Sequence, residues 1–166
     1  FGTLPIGGLV LLAFLMWQFN SLRLTGLVLL TVPLAAAGVV PGLLLTDQPF
    51  SFTAILGVVA LIGIVVNNAI VLIDRIEAGV ADGLHLDQAI PAAVARRIRP
   101  IMLTTATTIA GLLPLTWTQS TLWPPMAWAI ISGLLVSTVL TLIVLPAAYR
   151  VLESTRDRGA STRQSR

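Results

Sequence analysis

Residues 64–74 read IVVNNAIVLID, two asparagines, Asn67 and Asn68, set inside an otherwise apolar run. An amide left without a partner in hydrocarbon costs several kcal/mol on the water-to-alkane scale, about 4–8. A neighbouring segment must therefore receive these side chains. What kind of neighbour is possible depends on the rest of the chain, which is 166 residues long, 56% hydrophobic and only 10% charged. Soluble domains carry about 25% charged residues, so with a mean hydropathy of +0.94 this is membrane composition.

The apolar material falls into five runs, at about 4–19, 24–45, 52–73, 101–117 and 126–149. A run of about 20 residues crosses a hydrocarbon layer roughly 30 Å thick as a helix. The expected fold is an all-α membrane protein, a bundle of five transmembrane helices, with the first and fourth runs slightly short. Phe1 is not an initiator methionine and no basic segment precedes the first run, so Phe1 reads as an interior cut rather than the start of a signal peptide.

All ten basic residues are arginine. Assigning the polar breaks alternately to two faces puts Arg23, then Arg75, Arg96, Arg97 and Arg99, then Arg150, Arg156, Arg158, Arg163 and Arg166 on one face, and none on the other. Basic loops are cytoplasmic, so the C-terminus is expected inside and the first helix enters from the outer side. The arginines thus mark a membrane face rather than a nucleic-acid surface. Trp117, Trp123 and Trp128 cluster near the opposite face, as interfacial aromatics do.

Between Arg75 and Arg99 lies the one substantial polar segment, where Leu86, Ala89, Ile90, Ala93, Val94 and Arg97 recur at helical spacing. An amphipathic helix on the inner surface is expected there, with Pro91 kinking it or starting it. The tail, 151–166, has no apolar periodicity and is expected to be disordered.

Small and polar residues form stripes within the spans. Ala60, Gly63, Asn67 and Asp74 share a face of the third helix, Arg97, Thr104, Thr108 and Gly111 one of the fourth, and Ala129, Gly133, Ser137 and Thr141 one of the fifth. The second helix carries Gly38 and Gly42, with Pro41 between them as a kink site. One reading is helix packing, because small residues let backbones approach and hydroxyls bond across the gap. The other, stronger for the asparagines, is an ion or substrate pathway, which polar side chains at membrane depth mark. Adjacent helix positions point about 100° apart, so only one asparagine lies centrally on the Gly63 to Asp74 face, and that is Asn67. Arg97 reads either as inner-face charge or as a long stem leading the Thr104 and Thr108 stripe. His85, alone beside Asp82 and Asp87, reads as a solvated loop residue. With no cysteine and one histidine there is no disulfide, no metal cluster and no triad, and no HExxH, GxSxG or Walker-type motif occurs. No enzyme activity, metal or cofactor is expected.

The stretches PFSFTAILGVVALIGIVVNNAIVLID, RRIRPIMLTTATTIAGLLPL and ISGLLVSTVLTLIVLPAAY, in this order, resemble the C-terminal membrane part of resistance-nodulation-division (RND) transporters of the acriflavine/multidrug type. The resemblance covers nearly the whole chain except the tail. It implies a twelve-helix inner-membrane domain of a bacterial, proton-driven efflux pump, of which these would be the last five helices. It also implies a homotrimer, large periplasmic domains and, frequently, a periplasmic adaptor and an outer-membrane channel. In the implied proton relay, Asn67 stands where many drug pumps have lysine, Asn68 at the neighbouring asparagine, Arg97 at the relay arginine and Thr104 at the relay threonine. The two relay aspartates fall outside these residues and would come from the remainder of the transporter. The implied cargo is hydrophobic or amphiphilic. Two other readings stand beside it: a non-transporting membrane scaffold subunit, and a protein-secretion or lipid-export relative of the same architecture.

An antibody to the tail peptide ESTRDRGASTRQSR separates the pump from the scaffold. In native membranes it should label a band several times heavier than 17.6 kDa, whereas a band at 17.6 kDa would assign the five helices to a short subunit.

Overall fold

The computed structural model describes the backbone of residues 3–164 and the side chains of 5–18 and 20–151. Its helices are α1 (Thr3–Phe19), α2 (Leu22–Leu45), α3 (Phe52–Ala81), α4 (Leu86–Thr116) and α5 (Trp123–Gln164). No strand occurs among the described residues. Helices α2 to α5 are long and apolar enough to cross a membrane, and α1 is a shorter apolar helix of 17 residues. At 1.5 Å per residue α1 spans only about 25 Å.

Turn chemistry sets where the helices stop. The residues with positive φ are Asn20 at 45°, Asp47 at 52° and Gly83 at 87°, one in each of the first three connections. These residue types tolerate the left-handed region best. After α3, the Leu84 N–H donates to the Gly79 carbonyl (3.1 Å) and the Gly83 N–H to that of Val80 (3.0 Å), a Schellman closure. After α2, Gln48 to Leu43 (2.9 Å) and Asp47 to Leu44 (3.4 Å) repeat the pattern. At the start of α3, the Ser51 hydroxyl caps the Ala54 N–H at 3.3 Å.

The polar segment between Arg75 and Arg99 is built differently from the separate surface helix expected of it. Helix α3 runs on past Ile73 to Ala81, the chain turns through Asp82 to His85, and α4 begins at Leu86 and continues into the membrane span. Continuing a helix keeps its backbone groups paired, whereas ending it inside the interface would orphan four at each terminus. The amphipathic spacing is nevertheless real. Ala89, Ile90 and Ala93 are buried, and Leu86, Val94 and Arg97 half-buried. Pro91 neither starts nor ends α4, which begins five residues earlier. Its missing N–H frees one carbonyl, near the helix's exposed end. Of the expected disordered tail, 152–166 lies outside the residues described with side chains, although α5 is helical to Gln164.

Helix α5 is the axis of the bundle, packing against α2, α3 and α4, while α1 leans on α2. Half of α5's apolar stretch is buried (50%), against 11% for α4, so α4 is peripheral. Two apolar clusters fill the interior. One joins Leu27, Ile76, Ile90 and Tyr149, the other Val39, Leu61, Ala129 and Leu134. The first cluster lies at the arginine-bearing ends of four helices. An exposed Arg150 to Asp87 ion pair at 2.9 Å ties the same end of α5 to the first turn of α4. Exposed pairs of this kind contribute little, up to about 1 kcal/mol.

Helices α2 and α5 meet through glycine. A Cβ on Gly38 would lie 2.6 Å from the Val136 Cβ, one on Gly42 would overlap the Ser132 side chain, and one on Gly133 would collide with Leu61 and come within 2.8 Å of Val39. Gly57, which its sequence context did not single out, meets the Met126 carbonyl in the same way (2.8 Å). Gly42→Ala should therefore lower the unfolding midpoint in detergent, a loss of about 1–3 kcal/mol from overpacking. Gly26 on the same helix faces open space, so Gly26→Ala should be neutral or stabilising. Equal effects of the two substitutions would show that α2 and α5 are not in close contact.

Candidate functional site: a buried polar layer and an open polar face

Along α5, Ser137, Thr138 and Thr141 are buried between Leu134 of one apolar cluster and Leu145 of the other. In apolar surroundings each hydroxyl needs a partner. Ser137 donates to the Leu134 carbonyl at 3.2 Å, and Thr138 bonds the buried Thr105 hydroxyl of α4 at 3.0 Å. The Thr141 Oγ1 has no protein partner. It lines a hollow of about 10 Å³ with Asn68, Ile101, Ser137 and Thr138. That is about enough room for one water molecule. The half-buried Asn68 is thus turned toward α4 and α5.

Asn67 points the other way. The buried residues of α3, among them Leu61, Val65, Ala69, Leu72 and Ile76, define one side of the helix. Two positions from Ala69, Asn67 projects about 160° away from it. Ala60, Gly63, Asn67 and Asp74 are all exposed, and nothing lies within 4 Å of a Cβ placed on Gly63. Asn67 therefore lies on the outer surface of these five helices. Leu61 of α3 packs at Gly133 of α5 and Gly57 at Ala129, so the buried Leu, Val and Ala positions of α3 face inward and Asn67 does not.

On α4, Thr104 is exposed and its hydroxyl donates back to the carbonyls of Pro100 (2.7 Å) and Ile101 (3.0 Å). This is the back-bonding that a threonine makes to the carbonyls three and four residues earlier in its own helix, whereas the carbonyl freed by the missing N–H of Pro100 is that of Arg96. Arg97 and Thr108 are half-buried, and Gly111 is exposed with nothing near it. No carboxylate among the described residues pairs with Arg97. The structure thus divides the stripes. Gly38, Gly42, Gly133, Ser137 and Thr141 are interior, whereas Gly63, Asn67, Thr104 and Gly111 are open. Thr105 and Thr138, which carry the interhelical hydrogen bond, were hidden in the sequence as immediate neighbours of Thr104 and Ser137. Periodicity alone did not tell which member of each pair turns inward.

The model of the AcrB/AcrD/AcrF family matches residues 3–153. The chain is 37% identical over 164 residues to the nickel and cobalt resistance protein CnrA of Cupriavidus metallidurans, covering 97% of this chain and 15% of CnrA. It is 40% identical over 135 residues to the multidrug resistance protein MdtC of Salmonella paratyphi B, covering 79% and 13%. The crystal structure of a heavy metal efflux pump superposes with a TM-score of 0.81 at 29% identity, over 91% of this chain and 16% of that one. The chain therefore spans about a seventh of the length of the relatives it matches.

The Thr105 to Thr138 bond carries a measurable prediction. A double-mutant cycle with Thr105→Val and Thr138→Val should return a coupling of about 0.6 kcal/mol, the usual worth of an interhelical hydrogen bond in a membrane. Strict additivity of the two substitutions would mean that the hydroxyls do not interact.

Proposed function

The chain belongs to the AcrB/AcrD/AcrF family of RND efflux transporters, and from that membership we propose that it supplies part of the proton-relay bundle of a proton-driven exporter in the bacterial inner membrane, with its C-terminus in the cytoplasm. The observation that carries this reading is the exposure of Asn67 and Thr104 within apolar spans. Lipid offers an amide no hydrogen bond, so Asn67 calls for a protein partner beyond these five helices. The open glycines Gly63 and Gly111 leave room for a helix to approach.

In this reading the partners are carboxyl groups from the remainder of the transporter. An asparagine amide both donates and accepts, so Asn67 pairs with a carboxylate through its NH₂ and with a protonated carboxyl through its carbonyl. It supplies no positive charge to hold a carboxylate ionised, which leaves that role to the half-buried Arg97. Each protonation exchanges one set of contacts for another and shifts the helices between two arrangements. The assembled transporter would be a homotrimer working with a periplasmic adaptor and an outer-membrane channel.

Two cargo classes are in view. The motif wording favours hydrophobic or amphiphilic compounds, the type for which MdtC is named. The relatives named for nickel, cobalt and heavy-metal resistance favour metal cations, and we give these precedence because they include both a curated relative and a superposed structure.

In the full-length transporter, Asn67→Ala should reduce proton-coupled efflux by about tenfold or more at equal protein level, the loss of one hydrogen bond to a charged group. Cells carrying the variant would be challenged with nickel and cobalt salts and with lipophilic dyes, while proton flux is followed in vesicles. Unchanged export together with unchanged proton coupling would sink the relay assignment.

A further inference from the structure

Where α3 and α4 leave the membrane at the arginine-bearing end, a cleft of about 90 Å³ opens between them. Arg75 of α3 and Arg96 of α4 line it, with Asp82 at its end and a floor of small residues that includes Gly79, Ala89 and Ala92. The small floor is what forms the cleft. A Cβ on Gly79 would lie only 3.3 Å from the Ala89 Cβ, so the helix backbones nearly touch and the long arginine stems rise on either side. Both arginines are exposed, and neither pairs with a carboxylate among the described residues. The one ion pair described nearby uses Arg150 and Asp87 instead.

Two unpaired guanidiniums over a narrow cleft, opposed by one carboxylate, leave a net positive site with several forked N–H donors. That arrangement suits the tetrahedral oxygens of a phosphate group. Its depth suits a lipid as well. Arg75 follows the apolar span that ends near Ile73, and Arg96 lies five residues, about 7–8 Å of helix, before Ile101, where the α4 span begins. This is the level of lipid headgroups, and basic pockets between spans on the cytoplasmic side hold anionic headgroups.

We propose that this cleft is a binding site for a phosphate group, carried by an anionic phospholipid or by soluble phosphate, separate from the Asn67 and Thr104 face. By bridging α3 and α4 across the turn from Asp82 to His85, the bound phosphate fastens the two helices whose outer faces carry those residues.

The test uses the full-length transporter in nanodiscs of phosphatidylcholine alone, of phosphatidylcholine with phosphatidylglycerol, and of phosphatidylcholine with millimolar inorganic phosphate. The readout is the thermal midpoint followed by tryptophan fluorescence. Phosphatidylglycerol should raise the midpoint of the wild type by a few degrees, and Arg75→Gln with Arg96→Gln should abolish that rise. A rise with inorganic phosphate that also depends on both arginines assigns the site to the soluble anion and supports the proposal equally. Asp82→Asn removes the opposing charge and should enlarge the rise. This variant carries the test if the double glutamine variant does not fold. The proposal is overturned if neither phosphate source shifts the wild type, if the double variant keeps the full shift, or if Asp82→Asn leaves it unchanged or smaller. None of these outcomes depends on export, so they are independent of the relay assignment.

Discussion

The close approach of α2 to α5 is the contact on which the bundle depends. In a bilayer, lipid tails solvate leucine as well as protein does, so helices associate by dense packing and hydrogen bonding rather than by expulsion of water. Gly38 and Gly42 admit Val136 and Ser132, and Gly133 in return admits Val39 and Leu61. The seam is reciprocal, each helix presenting both knobs and hollows. It brings α5 close enough to serve α3 and α4 with its remaining sides.

Once α5 is the axis, its polar residues have fixed surroundings. Ser137 and Thr138 fall between the two apolar clusters, where one bonds its own helix and the other reaches Thr105. The bundle thus has a polar layer at mid-depth that holds α4, the least buried of the long helices, to α5. A hydrogen bond contributes modestly there, but it is directional and sets the rotation of α4. That rotation turns Thr104 outward. The outer faces of α3 and α4 are then unfinished surfaces, with amides, hydroxyls and open glycines where a lipid-facing helix would carry leucine and valine. These are the faces on which the proposed relay would receive its partners.

Much of the fold was legible in the sequence. The five apolar runs became five helices, because run length against bilayer thickness is a one-dimensional quantity. The glycine and hydroxyl stripe of α5 was legible too, since strict four-residue spacing leaves one possible face. Between Arg75 and Arg99 the helical spacing falls on α4, which runs on into the span as α3 runs out of it. Composition marks where side chains become polar, whereas helix continuity follows from backbone pairing, which composition does not record. Of the candidate site, the residue types were readable and their directions only partly so. Asn67 and Asn68 are chemically identical and adjacent, and nothing local says which one enters the bundle.

The sequence by itself determined the solvent, the number of helices and the face that carries the arginines, because each depends on counting residues along a line. Tertiary structure alone decided that Asn68 looks inward and Asn67 outward, that Thr105 rather than Thr104 reaches α5, and that Arg75 and Arg96 flank one cleft. The physical reason is angular. A helix turns 100° per residue, so the direction of any side chain is set by how the whole helix rotates to seat its buried face, and that rotation is fixed only when the neighbouring helices are in place.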